Sequence, residues 1–260
     1  MADILEKMYN QNPWWSGANA AREDIHLKEL DKTRFVFYNY PFLNHDFKDG
    51  VYVVTGPRQI GKTTHLKLLI KNGINEKNKN DFLYFNCDIL ENKSDLIEMV
   101  EKYFRHFDSS DRKYILLDEI TSVKDGILAI KYLVDQGMKK NVTYIDTGSS
   151  TVNIKKTGEY LPGRRGAGVD FHFGPVTFVD FLAAQYPAQF HLFKPGDSIE
   201  KYYADIGRNI LLQKELDKYI ICGGIPKVVN DYLLNGAISL DNFSLYRDWI
   251  ISETAKNGKR

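Results

Sequence analysis

Five short apolar runs, each bounded by polar residues, occupy the first two-thirds of this 260-residue chain. Runs of this length that end in turn-forming residues are typical of buried β-strands. The runs are VYVVTG (51–56), FLYFNCD (82–88), KYILLDE (113–119), VTYIDTGSS (142–150) and VDFHFGP (169–175). We therefore predict five strands, all of them largely buried.

Segments with helical periodicity lie between most of these strands. In SDLIEMVEKYFRHF (94–107), apolar residues recur every three or four positions and so share one helix face. We predict a helix there, with Ser94 as its N-cap. Two further helices are predicted, one directly after the first strand and one over residues 126–138. Alternation of strands and helices indicates a parallel sheet with helices on both faces, a three-layer α/β/α core.

The strand pattern stops at Pro175, and the segments that follow it have helical spacing. These segments are TFVDFLAAQY (177–186), residues 199–221, PKVVNDYLL (226–234) and FSLYRDWIISE (243–253). We predict an irregular N-terminal arm over residues 1–45, an α/β core over 46–176 and a helical lid over 177–260.

The composition is that of an ordinary globular protein, with 43% hydrophobic and 27% charged residues. The net charge of +1 gives no global electrostatic reason to expect nucleic acid or an acidic membrane as a partner. No apolar run approaches the length of a membrane helix, and the N-terminus lacks an apolar signal core. These features predict a cytoplasmic protein. Cys87 and Cys222 form no CxxC pair, so we predict that both are small buried residues.

Residues 56–63, GPRQIGKT, fit the phosphate-loop pattern G-x-x-x-x-G-K-[ST] between a strand and a helix. Its glycines let the backbone N–H groups approach phosphate oxygens, Lys62 reaches the β- and γ-phosphates, and the Thr63 hydroxyl serves Mg²⁺. The pattern therefore predicts a site for ATP with Mg²⁺. The predicted nucleotide contacts are Gly56, Pro57, Arg58, Gln59, Ile60, Gly61, Lys62, Thr63 and Thr64.

The third strand ends in Asp118 and Glu119, a position beside the phosphate loop in a parallel sheet. Asp118 would help to hold Mg²⁺, and Glu119 would orient a water for attack on the γ-phosphate. The alternative is that the pair only ends the strand and caps the next helix. A water-activating glutamate favours hydrolysis over phosphoryl transfer to a small molecule.

Two later segments carry further candidates. Ser149 or Ser150, and less strongly Thr147, could contact the γ-phosphate or the attacking water, unless they form only a polar turn. Arg164, in preference to Arg165, could stabilise charge on the phosphoryl group of its own subunit or of a neighbour. The alternative for that glycine-rich loop is a pair of solvated arginines.

The order of these motifs resembles the AAA+-type ATPases of archaea and bacteria over about residues 12–250. The resemblance rests on GPRQIGKTT, YILLDEI, IDTGSS, LPGRR, FHFGPVTFVDFL and CGGIPKVV, and the NPWW near the start is similar to archaeal members. It implies a P-loop NTPase sheet in the order 5-1-4-3-2, a water-activating Glu119, a sensor on the GSS strand end and a helical lid. Ser149 departs from the asparagine that many AAA+ proteins carry as this sensor.

The resemblance also implies that Gly224 and Pro226 contact adenine, whereas the residues alone describe a helix terminator followed by a helix start. Trp14 and Trp15 either lie near adenine or pack back on the core to anchor the terminus. Relatives usually continue into a further C-terminal domain, so we expect either a truncated form or a short gene.

The sequence thus predicts an AAA+-type ATP hydrolase that couples turnover to movement of an unknown protein or nucleic-acid partner, with no membrane partner. Assembly with further copies of the same chain is compatible with this hypothesis. Two alternatives remain open: a P-loop kinase acting on a small molecule, and a nucleotide-gated interaction module that does not hydrolyse ATP.

Overall fold

The computed structural model describes residues 3–108, 111–138, 140–148, 163–187, 210–244, 246–247 and 251. The chain divides into two compact units. The first unit comprises residues 1–31, 39–57 and 61–173, and the second comprises residues 32–38, 58–60 and 174–260.

A five-stranded parallel sheet forms the centre of the first unit in the described part of the chain. Its strands are β1 (Gly50–Thr55), β2 (Phe82–Asn86), β3 (Lys113–Asp118), β4 (Val142–Gly148) and β5 (Asp170–His172). The strand order β2-β3-β4-β1-β5 confirms the predicted order 5-1-4-3-2, read from the other edge. β5 is shorter than predicted, because only three of its residues extend along β1.

Helices connect the successive parallel strands, as a parallel sheet requires. They are α4 (Lys62–Gly73) after β1, α5 (Lys93–His106) after β2 and α6 (Gly126–Asp135) after β3. α5 packs against α6, and α4 packs against α2 (Ile25–Asp31). The fold is therefore that of the P-loop NTPases, as predicted.

The predicted N-cap of α5 was wrong by two residues. Asn92 caps the helix, and its side chain accepts hydrogen bonds from the backbone N–H groups of Ser94 and Asp95. The Asp95 carboxylate accepts the Asn92 N–H in return, which completes a capping box. Asn92 is as favourable an N-cap residue as Ser94, so residue type alone does not distinguish the two positions.

The expectation of an irregular N-terminal arm was also wrong. Residues 4–43 contain α1 (Ile4–Gln11), α2 and α3 (Tyr40–Leu43), with 3₁₀ turns between α1 and α2. Trp14 and Trp15 are buried, and both indole N–H groups donate to the Phe82 carbonyl of β2. Of the two alternatives for these tryptophans, the structure confirms that they pack back on the core.

Asn12 binds the main chain of the edge strand β2 from the side. Its side-chain oxygen accepts the Tyr84 N–H at 2.7 Å, and its amide donates to the Tyr84 carbonyl at 2.8 Å. Asn12 is fully buried, so these bonds replace the ladder partner that an edge strand otherwise lacks. The N-terminal segment thus covers one edge of the sheet.

The second unit has its own apolar core, which includes a residue from the segment before the sheet. Its described helices include α7 (Phe178–Gln185), α8 (Ile210–Cys222) and α9 (Pro226–Asn235). The core residues are Phe35, Val176, Phe181, Cys222 and Val229. Asn230 accepts the Phe35 N–H and donates to the Phe35 carbonyl, both at 2.8 Å. An asparagine side chain therefore binds the main chain of Phe35 in the second unit, as Asn12 binds that of Tyr84 in the first.

The GGIP turn separates α8 from α9 as the residues alone predict. Gly223 has a left-handed φ of 65°, and Pro226 occupies the first turn of α9. Both cysteines are free and buried, as predicted. In the described residues, no helix has the length and apolar content needed to cross a membrane.

We expect Asn12→Ala to lower the free energy of unfolding by about 3 kcal/mol, because it leaves the buried N–H and C=O of Tyr84 without partners. Urea unfolding followed by tryptophan fluorescence measures the change. Asn72→Ala, at an exposed position of α4, is the matched control and should change stability by less than about 0.5 kcal/mol. Equal effects of the two substitutions would contradict the role given to Asn12.

Candidate nucleotide site

The loop between β1 and α4 has the backbone geometry that a phosphate cradle requires. Gly56 has a φ of 154°, and a Cβ added there would lie 2.2 Å from the Phe173 carbonyl oxygen, so only glycine fits. Gly61 has a left-handed φ of 92° and directly precedes the helix. Arg58 and Gln59 are exposed, and Ile60 is buried. The loop therefore presents its main chain at the N-terminus of α4, where anions bind favourably.

Lys62 and Thr64 lie in the first turn of α4, and the Lys62 ammonium folds back over the loop. Its Nζ donates to the Gly56 carbonyl at 3.0 Å and to the Pro57 carbonyl at 2.9 Å. A Glu119 carboxylate oxygen lies 3.6 Å from the same Nζ. A positive charge with 4% side-chain exposure is thereby held where phosphate oxygens would meet it.

The Asp118 carboxylate accepts hydrogen bonds from three hydroxyl groups at the carboxyl end of the sheet. Thr63 Oγ1 donates to Oδ2 at 2.6 Å, Tyr84 Oη to Oδ2 at 3.0 Å, and Thr147 Oγ1 to Oδ1 at 2.5 Å. Asp118 is only 2% exposed. Since a buried carboxylate is costly unless it is hydrogen-bonded, these donors stabilise it in one orientation.

Glu119 follows β3 in a left-handed backbone conformation, with a φ of 53°. Its N–H donates to Thr147 Oγ1 at 2.9 Å, so the same threonine holds both acidic residues. The Glu119 side chain is 24% exposed and extends toward Lys62. A partly exposed carboxylate beside the lysine of the loop is suited to contact a water as well as the protein.

His65 joins the loop to the segment that precedes the sheet. Its Nε2 accepts the Asn39 N–H at 2.9 Å, which leaves Nδ1 as the donor to the Gly61 carbonyl at 2.8 Å. Burial lowers the pKa of His65, and the neutral tautomer with its proton on Nδ1 satisfies both contacts. The imidazole thus fixes the carbonyl of the last glycine of the loop.

The oxygen donors of Thr63 and Asp118 fit Mg²⁺, which prefers hydroxyl, carboxylate and phosphate oxygens. In the described part of the chain, no group of three or more His, Cys, Asp or Glu side chains could hold a metal ion on its own. These two residues therefore suit a metal that takes its remaining ligands from phosphates and water.

The structure brings Lys62, Thr63, Asp118 and Glu119 together and leaves Arg164 apart from them. The Arg164 side chain donates to Asp135 at 2.6 Å, and it lines a cleft of about 290 Å³ with Val51 and Tyr144. The Arg165 carbonyl accepts the Val51 N–H, at the start of β1, whereas the phosphate loop follows the end of that strand.

Three other residues were also predicted to belong to the site. Arg165 forms an ion pair with Asp170 of β5. Pro226 lies in the second unit, at the start of α9, and its predicted contact with adenine stays a prediction. Ser149 lies outside the described residues.

Sequence reasoning missed Tyr84 and gave Thr147 too little weight. Tyr84 lies two residues before Asn86, which pairs with Asp118 across the sheet, and its hydroxyl spans that distance. An aromatic residue with a polar tip, on the strand adjacent to the acidic strand, was the available signal. Thr147 lies in β4, where it pairs with Val54 of β1. β4 is also the neighbour of β3, and the resemblance had implied this strand order.

A model of the AAA domain family matches residues 48–182. The match covers just over half of the chain, so the chain belongs to the AAA domain family. Together with the phosphate loop and the P-loop NTPase sheet, the family identifies an ATP-binding protein of the AAA+ class. A search of curated proteins returns no significant match.

Several solved structures resemble the chain at a distance. Cdc6p from Pyrobaculum aerophilum is 16% identical over 53% of this chain and 43% of that chain, with a TM-score of 0.38. PCH-2 from C. elegans is 16% identical over 87% and 62%, with a TM-score of 0.43. The Aeropyrum pernix ORC1 protein in complex with DNA is 16% identical over 88% and 65%, with a TM-score of 0.41. The chain spans less than two-thirds of each of these proteins, and the family assignment rests on the family model.

We expect Gly56→Ala to weaken ATP binding at least tenfold, because the added Cβ cannot be accommodated 2.2 Å from a carbonyl oxygen without moving the loop. Calorimetric titration with ATP measures the loss. Gly17→Ala is the control, since a Cβ at Gly17 meets no atom within 4 Å. Unchanged ATP affinity in Gly56→Ala would show that the loop does not form the cradle.

Proposed function

We propose that the chain hydrolyses ATP to ADP and phosphate with Mg²⁺, and that turnover changes its conformation toward a protein or nucleic-acid partner. The observation that carries the proposal is the position of Glu119, whose carboxylate lies 3.6 Å from Lys62 Nζ and directly follows Asp118. A carboxylate at this point can orient a water next to a phosphate held by the lysine.

Each residue has a separate role in this proposal. The loop N–H groups and Lys62 bind the phosphates and hold the terminal one in place. Thr63 and Asp118 would hold Mg²⁺, which supplies charge neutralisation at the phosphates when it is bound. Glu119 accepts a hydrogen bond from the attacking water and draws its proton away as the oxygen approaches phosphorus. Thr147 orients the Asp118 carboxylate and holds the main chain of Glu119, since it donates to the first and accepts the N–H of the second.

Arg164 fits this proposal only through a second copy of the chain. In its own subunit it lies beside the start of β1, and the phosphate loop follows the end of that strand. At about 3.3 Å a residue, the four steps from Val51 to Thr55 separate the two by about 13 Å. We therefore propose that Arg164 stabilises the phosphate of a neighbouring copy, and that the chain assembles as a homo-oligomer.

We expect Glu119→Gln to lower the rate of phosphate release at least 100-fold and to leave ATP affinity within about threefold of the wild-type value. The amide keeps the size of the side chain but cannot take a proton from water. A phosphate-release assay measures the rate, and Glu98→Gln, on the exposed surface of α5, is the matched control.

The wild-type protein itself decides between hydrolysis and the alternatives. Phosphate release without an added acceptor supports the proposal. Transfer of phosphate to a nucleoside or sugar, without release in the absence of that acceptor, would identify a kinase. Tight ATP binding with neither reaction would identify a nucleotide-gated module.

We expect a mixture of Arg164→Ala and Lys62→Ala proteins to regain ATPase activity that neither variant has alone, because a mixed pair contains one intact site. Activity against mixing ratio measures the effect. Arg165→Ala mixed with Lys62→Ala is the control for the choice of arginine. If no ratio restores activity, the proposed role of Arg164 in a neighbouring site is wrong.

A further inference from the structure

Lys67 is a second buried lysine of α4, one that the proposed reaction does not use. Its side chain is 5% exposed, and its Nζ lies 3.1 Å from a carboxylate oxygen of Asp24. The same Nζ lies 3.4 Å from the centre of the Tyr84 ring and 5.2 Å from the Trp14 ring. An ammonium group removed from water needs such partners, and a carboxylate with two aromatic faces supplies them.

Tyr84 connects this buried charge to the candidate metal ligand. One face of its ring meets Lys67, and its hydroxyl donates to Asp118 Oδ2, the same oxygen that accepts from Thr63. The hydroxyl is the donor in this contact, and the Asp118 carboxylate accepts at 3.0 Å.

The contacts form a continuous series from the N-terminal segment to the nucleotide site. Asp24 pairs with Lys67, Lys67 packs on the ring of Tyr84, and Tyr84 donates to Asp118. Asn12 fixes the main chain of Tyr84, while Lys67 and Asp118 contact its ring and its hydroxyl.

We propose that Tyr84 is a positioning residue for Asp118, and that Lys67 and Asp24 hold Tyr84 in the orientation that Asp118 requires for Mg²⁺. The inference rests on the proposed function only in its assignment of Asp118 to Mg²⁺. The inference connects the N-terminal segment to the candidate nucleotide site through Lys67 and Tyr84. The series ends at Asp118 and includes no contact with the phosphate loop.

A purely structural role for Tyr84 makes a different prediction. A tyrosine that only fills the core would affect stability when its hydroxyl is lost and would leave the metal dependence of ATP binding unchanged. Side chains that orient a metal ligand typically change metal affinity 10- to 100-fold when they are removed. The Mg²⁺ dependence of binding therefore separates positioning from packing.

The test is a Mg²⁺ titration of ATP binding to Tyr84→Phe, followed with a fluorescent ATP analogue. The ring stays over Lys67, and only the hydroxyl is lost. We expect the Mg²⁺ concentration at half-maximal binding to rise about tenfold, with metal-free binding unchanged. Thr63→Ala is the positive control for loss of a candidate metal ligand.

Tyr144→Phe is the matched control. Tyr144 is also a fully buried tyrosine of the sheet, but its hydroxyl donates to the Met138 carbonyl at 2.8 Å, away from Asp118. Three results would each overturn the inference: an equal shift in both tyrosine variants, no shift in Tyr84→Phe, or a lower Mg²⁺ concentration at half-maximal binding in Tyr84→Phe.

Asp24→Asn provides a second variant that leaves Tyr84 intact. We expect a smaller shift in the same direction, and less than the sum of the two shifts in the double variant, because both act through one contact series. Additive shifts would overturn the role of Lys67 and Asp24. One outcome is that wild-type binding depends on Mg²⁺ and Tyr84→Phe shifts that dependence as expected, while the wild-type protein releases no phosphate. In that case the proposed hydrolysis fails and the inference stands. Wild-type binding with no Mg²⁺ dependence would overturn the inference itself.

Discussion

The position of one buried carboxylate, that of Asp118, determines the arrangement of the candidate nucleotide site. Three hydroxyls from three different elements donate to it: Thr63 from α4, Tyr84 from β2 and Thr147 from β4. In all three contacts the carboxylate is the acceptor, so each hydroxyl has to direct its proton at Asp118. Any shift of α4 or β2 against β3 would leave this carboxylate under-bonded in a buried place, which is costly. The Asp118 carboxylate therefore fixes two elements relative to β3: the helix α4, which follows the phosphate loop, and the edge strand β2.

That registration depends on how the edge strand is held. Among the described strands, β2 pairs with β3 alone, and Asn12, Trp14 and Trp15 supply hydrogen-bonding groups on its other side. The second unit uses Asn230 on Phe35 in the same way. A buried asparagine amide carries an acceptor oxygen and a donor NH₂ group side by side, so it can bind both the N–H and the C=O of one main-chain residue without a second strand. The N-terminal segment therefore serves the sheet as an edge cover and, through Tyr84, serves the site.

Most of the sheet and half of the site follow from local sequence patterns. The apolar runs locate β1 to β4 to within a few residues, because both faces of these strands are covered and their side chains are nearly all buried. The phosphate loop is readable because its glycines are required by local backbone geometry. The N-terminal helices were not predicted, because their partners lie far along the chain: α1 packs against β2, and α2 and α3 pack against α4. Tyr84 was missed for the same reason: a strand residue shows its role only when the neighbouring strand is known.

The loop that carries Arg164 and Arg165 before β5 shows that a correctly predicted strand order does not by itself determine the role of a residue. All strands of a parallel sheet point the same way, so the segment that enters β5 lies at the amino edge, while the loop that leaves β1 lies at the carboxyl edge. Arg164 and Lys62 therefore belong to opposite edges of one sheet, and this geometry cannot bring both to the same phosphate. If Arg164 contacts a phosphate, the phosphate belongs to another copy whose carboxyl edge faces this amino edge. Such a contact joins two different surfaces, so repeated use of it produces a ring or an open filament rather than a two-fold dimer.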